Sequence, residues 1–519
     1  MTAKILVANR GEIAVRVIRA AADLNMGTVA VYSEDDADSF HVRLADESRA
    51  LAGFGAAAYL DADRVIAAAG ESGCWAVHPG YGFLAENAEF AEKCEQAGIV
   101  FIGPAAESLK LFGDKTRARE KARQCGIPLV PATNGPTTRA EARGFFASLG
   151  ENPAVMIKAL AGGGGRGMRA VSDLSDLDAA YDLCCSEANA AFGCGDVYVE
   201  RLIENARHIE VQVIGDGTGA VSHLWERECT LQRRNQKLVE IAPSPAIDDS
   251  LRDRIAAAAV ELGKSMQYRS LGTFEFLVDV DAQAQADAFF FLEVNPRLQV
   301  EHPVTEEVTG IDLVRAQIEI ACGQTLADLG LAQENIGPPL GYAVELRVNM
   351  EEVSESGDFS PSGGVLHAFE PPLGPGVRVD TFGYAGYETN PKFDSLLAKL
   401  ICHSRSADFA DALAKAGRAL REFRIEGVCT NIGLLRNLVR HPAVAAGRVT
   451  TRFVEENLPE LVRDDREPAG STVADPGAAA AAEKVSGQSA AAEVQGPPGT
   501  LPAVAAMPGT VVSIEVAVG

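Results

Sequence analysis

GTFEFLVDVDAQAQADAFFFLEVNPRLQVEHPVTEE, residues 272–307, is the stretch of this sequence that constrains the fold and the chemistry most strongly. In residues 273–278, polar or aliphatic side chains alternate with Phe274, Phe276 and Val278, which predicts a strand with two different faces. After a polar run, the apolar residues 289–292 predict a second strand that pairs with the first as a hairpin. Glu293 and Asn295 would then project from one side of this hairpin.

Glu275, Glu293 and Asn295 are candidate metal ligands. Two carboxylates and an amide on adjacent strands present several hard oxygen atoms at one place, and Mg²⁺ takes ligands of this kind. A magnesium ion in turn usually implies a phosphate. The alternative is an edge hairpin whose solvated face is acidic.

A candidate substrate pocket follows directly after these residues. Arg297, Gln299 and Glu301 alternate with apolar residues and His302, which predicts an extended segment with a cation, an amide and a carboxylate on one side.

The composition is that of a soluble enzyme with several domains: 519 residues, 47% hydrophobic and 23% charged. A formal charge of −25 argues against sequence-independent binding to nucleic acid or to an anionic membrane. The ten cysteines form no CxxC pair and no zinc spacing, so we expect reduced core thiols. Charged residues interrupt the N-terminal apolar run, so we expect no signal peptide or membrane span and a cytoplasmic protein.

Strand and helix patterns alternate over residues 1–113, which predicts an open parallel sheet flanked by helices. No GxGxxG motif follows the first strand, so a dinucleotide site is not supported. The turn His78-Pro79-Gly80-Tyr81-Gly82 follows a strand, where ligands tend to approach such sheets, although it also suits a plain turn.

A glycine-rich segment, AGGGGRGM at residues 161–168, follows a strand that ends in Lys158. It is neither a Walker A loop nor a Rossmann fingerprint, because no Gly-Lys-Ser/Thr and no helix pattern follow it. A glycine-rich hairpin tip can approach phosphates through backbone N–H groups and can move as a lid, whereas the alternative is a flexible surface hairpin.

One basic cluster lies between residues 224 and 245, where Arg227, Arg233, Arg234 and Lys237 are close in sequence. In so acidic a chain, a cluster of this kind is interpreted as an anion pocket beside the metal site, the alternative being a solvated arginine-rich strand. Residues 464–499 are rich in Ala, Gly, Pro, Ser and Glu, which predicts a linker.

These motifs together resemble one protein family. ILVANRGEIAVRVIRA, HPGYGFLAEN, IKALAGGGGRGMR, RHIEVQV, RRNQK, GTFEFL, LEVNPRLQVEHPVTE and FSPSGG, in this order, resemble the biotin carboxylase component of biotin-dependent carboxylases, a branch of the ATP-grasp ligases. The resemblance covers residues 1 to about 457. A single glycine loop would be weak evidence, but many motifs in one order are specific.

The resemblance implies an α/β and α+β architecture with the ATP-grasp fold. We expect a Rossmann-like (pre-ATP-grasp) N-terminal domain at 1–113, an ATP-grasp domain at 114–330 with a lid at about 131–203, and a C-terminal biotin carboxylase domain at 331–457. Residues 458–500 would be a flexible linker. Residues 501–519 resemble the first strand of a biotinyl carrier domain, which cannot close from one strand.

The resemblance also implies a role for each matching residue. The nucleotide side comprises Lys115 and Lys158 for ATP phosphates, Gly163, Gly164, Gly165 and Gly167 for the lid, Glu200 and Leu202 for the adenine hinge, and His208 and Gln232 near the nucleotide. The reaction side comprises Glu275, Glu293 and Asn295 for the metal, Lys237, Arg297, Gln299 and Val300 for bicarbonate, Glu301 as general base, and Arg347 for the biotin enolate. Asn235 departs from the pattern, because many relatives carry histidine there.

The implied reaction is the carboxylation of biotin by bicarbonate through carboxyphosphate, with ATP and Mg²⁺ or Mn²⁺. Its partners would be a biotin carboxyl carrier domain, on this chain or another, and a carboxyltransferase acting for an acyl-CoA carboxylase. By analogy we expect a homodimer, with no nucleic-acid or membrane partner. The alternatives are another ATP-grasp ligase that activates a different carboxylate and a catalytically silent nucleotide-binding subunit.

Overall fold

The computed structural model describes residues 3–150, 153–160, 167–282, 288–354 and 358–463. They belong to one compact unit, Met1–Asp464, and residues 464–519 lie outside the described ranges. Most of the predicted linker and the predicted carrier strand therefore lie outside the described residues. Among the helices described, none has the length and apolar character needed to cross a membrane.

The N-terminal part is a five-stranded sheet with helices packed on it, which confirms the predicted parallel sheet. Its strands are β1 (Lys4–Val7), β2 (Gly27–Ser33), β3 (Glu47–Leu51), β4 (Ala76–His78) and β5 (Val100–Phe101), and its helices are α1 (Gly11–Asp23), α2 (Phe40–Leu44), α3 (Ala56–Tyr59), α4 (Ala62–Glu71), α5 (Ala88–Gln96) and α6 (Ala106–Phe112). The strands lie in the order β3-β2-β1-β4-β5, and all neighbours are parallel. Asp61 and Asn87 cap α4 and α5 by accepting backbone N–H groups, which stabilises the two helix starts.

A small three-stranded sheet follows. Its elements are α7 (Lys115–Gln124), α8 (Arg139–Ser148), β6 (Val155–Ala159), β7 (Met168–Val171), α9 (Leu177–Phe192) and β8 (Val197–Arg201). Strand β6 is central and antiparallel to both of its neighbours, β7 and β8. Between β6 and β7, residues 161–166 lie outside the described residues, and with them the predicted lid residues Gly163, Gly164 and Gly165. Gly167 is described; it has φ +65°, and a Cβ there would lie 3.1 Å from the Cβ of Ala159.

The central elements carry most of the predicted site residues. They are β9 (Ala206–Asp216), β10 (Val221–Arg233), β11 (Gln236–Ala242), α10 (Asp249–Lys264), β12 (Arg269–Asp279), β13 (Phe289–Asn295), α11 (His302–Thr309) and α12 (Leu313–Ala321). The predicted hairpin of residues 272–295 is confirmed, because β12 and β13 pair antiparallel.

The C-terminal elements complete the first unit. They are β14 (Tyr342–Asn349), β15 (Glu351–Val353), β16 (Phe359–Pro361), β17 (Ala368–Glu370), β18 (Val377–Thr381), β19 (Leu396–Ser404), α13 (Phe409–Glu422), β20 (Arg424–Glu426), α14 (Ile432–Arg440), α15 (Pro442–Ala445), α16 (Phe453–Glu456) and α17 (Leu458–Leu461). Residues 458–461 were predicted as the start of the linker and instead form α17, because Leu461 is buried in the apolar core around α13 and α14.

One eight-stranded antiparallel sheet joins the central and C-terminal parts, in the order β13-β12-β9-β10-β11-β14-β19-β18. On one face of β14 and β19, Leu346 and Leu400 pack in the apolar core that contains α13. On the opposite face, Val304 and Val308 of α11 pack against Ala343 and Ile401. Because side chains alternate along a strand, that second face also carries Glu345, Arg347 and Lys399. The N-terminus of α11 therefore lies beside a charged part of the sheet.

Candidate functional site

The hairpin of β12 and β13 brings the three predicted metal ligands together. Glu275 lies opposite Glu293, and Thr273 lies opposite Asn295. The amide nitrogen of Asn295 donates to Glu275 Oε1 at 2.7 Å and to Glu293 Oε1 at 3.3 Å. An Asn295 amide turned over by half a rotation would present its oxygen to the same place, so the three side chains fit a hard divalent cation.

The two carboxylates of this set differ in their electrostatics. Burial raises the pKa of Glu293, and the negative charge of Glu275 raises it further. Burial would also raise the pKa of Glu275, but Lys237 and His208 outweigh it and hold that pKa well below its ordinary value. Two neighbouring carboxylates that repel each other, one of them buried, form an arrangement that a bound divalent cation stabilises.

The segment after β13 differs from its prediction. The chain bends at Arg297 and turns at Val300 and Glu301, so the predicted extended conformation of residues 297–302 is wrong. Gln299 and Glu301 nevertheless both reach Lys237, as their predicted common side implies. Helix α11 begins at His302 with Pro303 in its first turn, where proline has no N–H to leave unpaired and its fixed φ suits a helix. The turn directs Gln299 inward, where its amide nitrogen donates to Glu275 Oε1 at 3.0 Å. Arg297 Nη2 donates to Asn295 Oδ1 at 3.2 Å.

Lys237 of β11 is the central cation of the site. Its Nζ lies 2.6 Å from Glu210 Oε2 and 2.5 Å from Glu301 Oε1. It also lies 3.4 Å from Glu275 Oε1 and 3.3 Å from Gln299 Oε1. Burial alone would lower the pKa of Lys237, but the surrounding anionic groups raise it well above its ordinary value. Lys237 is therefore a fixed positive charge between the metal ligands and Glu301.

Arg347 of β14 reaches Glu301 from the other side. Its Nη2 donates to Glu301 Oε2 at 3.1 Å, and its Nε donates to Glu240 Oε1 at 2.6 Å. Burial raises the pKa of Glu240 to about 7, against the opposing charge of Arg347. Glu301 thus holds Lys237 with one carboxylate oxygen and Arg347 with the other.

Glu301 is ionised over the whole neutral range. Burial would raise its pKa, but Lys237, Arg347 and Arg227 outweigh that effect and hold the pKa below its ordinary value. Its side chain is only 2% exposed, so these charges act with little screening by solvent.

This lowered pKa predicts a specific response to acid. Because the folded pKa lies below the unfolded one, ionised Glu301 contributes stability that is complete above the unfolded pKa and is lost as the pH falls through the folded pKa. Between about pH 6 and pH 3, we therefore expect the urea midpoint of the unsubstituted chain to fall more steeply than that of a Glu301→Gln variant. Parallel plots of urea midpoint against pH for the two proteins would contradict the lowered pKa of Glu301.

The residues predicted for the nucleotide lie around β6 and β8. Lys158 forms a buried ion pair with Glu200 on the neighbouring strand. Lys115, the first residue of α7, donates to the carbonyl oxygen of Ala159 at 3.2 Å. Burial lowers the pKa of Lys115, with the charge of Lys158 acting in the same direction and Glu293 against it. Leu202 is half-buried just after β8. The two lysines thus lie close to the segment that leads into the glycine-rich loop.

His208 and Gln232 also lie at the site. His208 Nε2 is 2.7 Å from Glu275 Oε2, so the ring contacts a candidate metal ligand directly. Gln232 lies opposite Lys237 in the β10–β11 hairpin, whose two tip residues are Arg234 and Asn235. Both tip residues have positive φ, 46° and 65°. A tight hairpin turn of this kind favours asparagine, which gives Asn235 a conformational role.

The predicted anion pocket of four basic residues is wrong as a group. Arg227 is fully buried, and its Nε donates to Glu210 at 2.5 Å. Arg233 pairs with Glu351 at 2.8 Å, and Arg234 is exposed at the hairpin tip. Irregular register in β10 between Glu228 and Gln232, together with the hairpin tip, separates the four side chains. Of the four, Arg227 and Lys237 share a carboxylate, Glu210.

Two carboxylates at the site, Glu210 and Glu240, were missed from the sequence. Glu210 pairs with both Arg227 and Lys237, Glu240 holds Arg347, and Arg227 also donates to Thr273 Oγ1 at 3.0 Å. The signal for Glu210 was present, because it shares one face of the alternating strand RHIEVQV with His208. No local pattern in β11 distinguishes Glu240 as the partner of an arginine on β14.

Three family descriptions match consecutive parts of this chain. The biotin carboxylase N-terminal domain matches residues 1–109, the ATP-binding domain of the carbamoyl-phosphate synthase L chain matches residues 114–329, and the biotin carboxylase C-terminal domain matches residues 345–456. The architecture is therefore that of an ATP-grasp ligase with flanking N-terminal and C-terminal domains.

Comparison with known proteins identifies the family within the ATP-grasp ligases. A pyruvate carboxylase of Aspergillus niger is 47% identical over 463 residues, which are 88% of this chain and 38% of the fungal protein. The biotin carboxylase domain dimer of the 2-oxoglutarate carboxylase of Hydrogenobacter thermophilus, solved with MgADP, ADP and bicarbonate, superposes with a TM-score of 0.84 at 43% identity over 89% of this chain and 99% of that one. The chain belongs to the biotin carboxylase family.

Some of the relatives are longer proteins. The chain spans 38% of the length of the Aspergillus niger relative. A single-chain, multi-domain long-chain acyl-CoA carboxylase superposes with a TM-score of 0.78 at 44% identity, over 89% of this chain and 43% of that one. The matched part is therefore shared by a pyruvate carboxylase and a long-chain acyl-CoA carboxylase, both of which are longer than this chain.

Proposed function

We propose that this chain catalyses the ATP-dependent carboxylation of biotin by bicarbonate, the first half-reaction of a biotin-dependent carboxylase. The observation that carries the proposal is the position of Glu301 between two cations, Lys237 at 2.5 Å and Arg347 at 3.1 Å. A carboxylate base beside two fixed positive charges is suited to an anionic substrate that must lose a proton.

Lys237, Arg297 and Gln299 would hold bicarbonate beside the nucleotide. Bicarbonate is a weak anionic nucleophile, so it must be held in place next to the γ-phosphate, and two cations supply the attraction. Glu301 would take the bicarbonate proton while an oxygen of bicarbonate bonds to the γ-phosphorus and ADP leaves, which forms carboxyphosphate.

The lowered pKa of Glu301 is compatible with this role. Lys237, Arg347 and Arg227 hold the pKa down in the absence of substrate. When bicarbonate lies against the same cations, its negative charge offsets part of theirs and raises the proton affinity of Glu301. The substrate itself would therefore turn Glu301 into a stronger base.

Arg347 would act later in the reaction by stabilising the negative charge on the ureido oxygen of biotin. Glu240 holds the guanidinium of Arg347 at 2.6 Å, so its orientation is set before biotin arrives. Lys115, Lys158 and the segment 161–168 would neutralise and cover the triphosphate, with Glu200, Leu202, His208 and Gln232 near the nucleotide.

Glu275, Glu293 and Asn295 would hold Mg²⁺ or Mn²⁺, which supplies charge neutralisation for the triphosphate. Glu293→Gln is expected to raise the Mg²⁺ concentration at half-maximal activity by about tenfold or more, because a hard ligand is weakened and the amide does not offset the cation charge. A Mg²⁺ titration of ADP release measures this. Glu261→Gln, in α10, is the control, and an unchanged Mg²⁺ midpoint in Glu293→Gln would contradict the assignment.

The overall function is tested with purified protein, ATP, Mg²⁺, bicarbonate and free biotin. We expect ADP release that requires bicarbonate and is stimulated by biotin. ADP release that requires neither would favour another ATP-grasp ligase, and the absence of nucleotide turnover would favour a silent subunit. Intact Lys237, Arg297 and Glu301 argue against the silent subunit.

For the acceptor of the carboxyl group, the relatives support two candidates. The sequence-based expectation is an acyl-CoA, which agrees with the long-chain acyl-CoA carboxylase among the solved relatives, whereas pyruvate agrees with the Aspergillus niger relative. A carboxyltransferase would select the acceptor. The proposed partners are therefore a biotin carboxyl carrier domain, which carries the biotin, and this carboxyltransferase. We further propose a homodimer in the cytoplasm, and domains at residues 1–113, 114–330 and 331–457.

A further inference from the structure

Lys399 of β19 is a fully buried lysine beside the candidate site. It lies opposite Arg347 on β14 and opposite Asp380 on β18. Its side chain is 0% exposed, and its Nζ lies 3.0 Å from Glu12 Oε2 and 3.9 Å from Asp380 Oδ2. Burial would lower the pKa of Lys399, but Glu12 and the other nearby carboxylates raise it, so the side chain is an ammonium ion. A buried ammonium ion is costly unless each of its hydrogen bonds is made.

The third partner of Lys399 is part of the candidate site. Its Nζ donates to the backbone carbonyl oxygen of Val300 at 2.9 Å. Val300 lies in the turn between Gln299 and Glu301, where the chain has left β13 and has not yet entered α11. No regular strand pairing supports a turn of this kind, so a charge-assisted hydrogen bond to its carbonyl is a strong local restraint.

The ion pair between Lys399 and Glu12 connects the candidate site to the N-terminal part. Glu12, in the first turn of α1, is 3% exposed and accepts the hydroxyl of Tyr81, which belongs to the motif HPGYG. Tyr81, Glu12, Lys399 and the carbonyl of Val300 thus form one continuous chain of contacts, which connects the HPGYG turn to the turn at Val300.

We propose that Lys399 is a positioning residue for bicarbonate, and this inference rests on the proposed function. Lys399 contacts none of the side chains assigned to bicarbonate. It acts through the backbone, by holding the turn that orients Gln299 and Glu301 towards Lys237. Replacing a lysine with a purely structural role would destabilise the fold and change the KM of all substrates equally. Replacing a positioning lysine would change the KM for bicarbonate most.

The test compares substrate constants in the double variant Lys399→Met and Glu12→Gln. The second substitution removes the carboxylate that the first would leave buried and unpaired, so that the chain keeps its fold. We expect the KM for bicarbonate to rise by about tenfold to a hundredfold, the factor that corresponds to the loss of one hydrogen bond to a charged group. The KM for ATP should stay within about twofold, because the nucleotide residues lie on other elements.

Two further variants complete the design. Lys399→Arg keeps the positive charge and the hydrogen-bond donor. Its bicarbonate KM should therefore rise less than that of the double variant. Lys392→Met is the control, because Lys392 also links the C-terminal and N-terminal parts, through Asp35 at 2.9 Å, but is 55% exposed. Its bicarbonate KM should not change.

The outcomes distinguish a failure of the proposed function from a failure of the proposed role of Lys399. An inactive unsubstituted chain would overturn the proposed function. An active chain whose folded double variant has an unchanged bicarbonate KM, or equal changes in both KM values, would overturn only the role of Lys399. If the double variant does not fold, Lys399→Arg decides by the same comparison: a bicarbonate KM that rises by about twofold to tenfold while the ATP KM is unchanged supports the role, and no change in either KM or equal changes in both overturn it.

Discussion

Glu301→Gln is expected to lower kcat for biotin-dependent ADP release by about a hundredfold to ten-thousandfold, the range that a positioned general base supplies. Glutamine has nearly the same shape as glutamate, and its single amide oxygen can still accept a hydrogen bond from Lys237 or from Arg347, but it cannot take a proton from bicarbonate. The KM for ATP should change little. Steady-state kinetics with each substrate varied in turn measures both constants.

The matched control for this variant is Glu307→Gln. Glu307 lies six residues further along the chain, in α11, and contacts Arg378 at 3.4 Å instead of Lys237 or Arg347. Its kcat should remain close to that of the unsubstituted chain. A Glu301→Gln variant with unchanged turnover would exclude Glu301 as the base and would leave only its ion pairs as a role.

Arg227→Met is expected to produce the largest loss of stability, about 3–5 kcal/mol, because it breaks a buried ion pair and leaves the charge of Glu210 without its guanidinium partner. Arg227 is 0% exposed, and besides Glu210 it donates to Gln212 at 2.7 Å and to Thr305 at 3.0 Å. One side chain of β10 therefore links β9 and α11. Urea denaturation followed by circular dichroism measures the loss.

The comparison for Arg227 is an arginine whose ion pairs are exposed. Arg424 pairs with Glu370 and Glu426, and all three side chains are more than half exposed. Solvent screens such pairs, so Arg424→Met should leave the unfolding midpoint unchanged. Equal shifts in the two variants would show that the buried contacts of Arg227 do not stabilise the sheet as proposed.

Much of the fold and part of the site could be predicted from local sequence patterns. The alternation in residues 273–278 and the apolar run at 289–292 predicted the hairpin that places Glu275 opposite Glu293. Period-2 alternation is a local property, because it depends only on which side chains face the core along one strand. The extended segment predicted for residues 297–302 was wrong for a related reason: alternation over six residues is also compatible with a turn, and Pro303 starts a helix directly after it.

By itself, the sequence determined the parallel N-terminal sheet, the β12–β13 hairpin and the residue types of the site, because each follows from side chains close together in the chain. Only the tertiary structure decided the partners: Lys237 between Glu210 and Glu301, Arg347 held by Glu240, and Lys399 on the carbonyl of Val300. These contacts join residues about 30 to more than 100 positions apart. Their formation depends on which strands become neighbours in the eight-stranded sheet and on where α11 packs on it, and no local pattern specifies either.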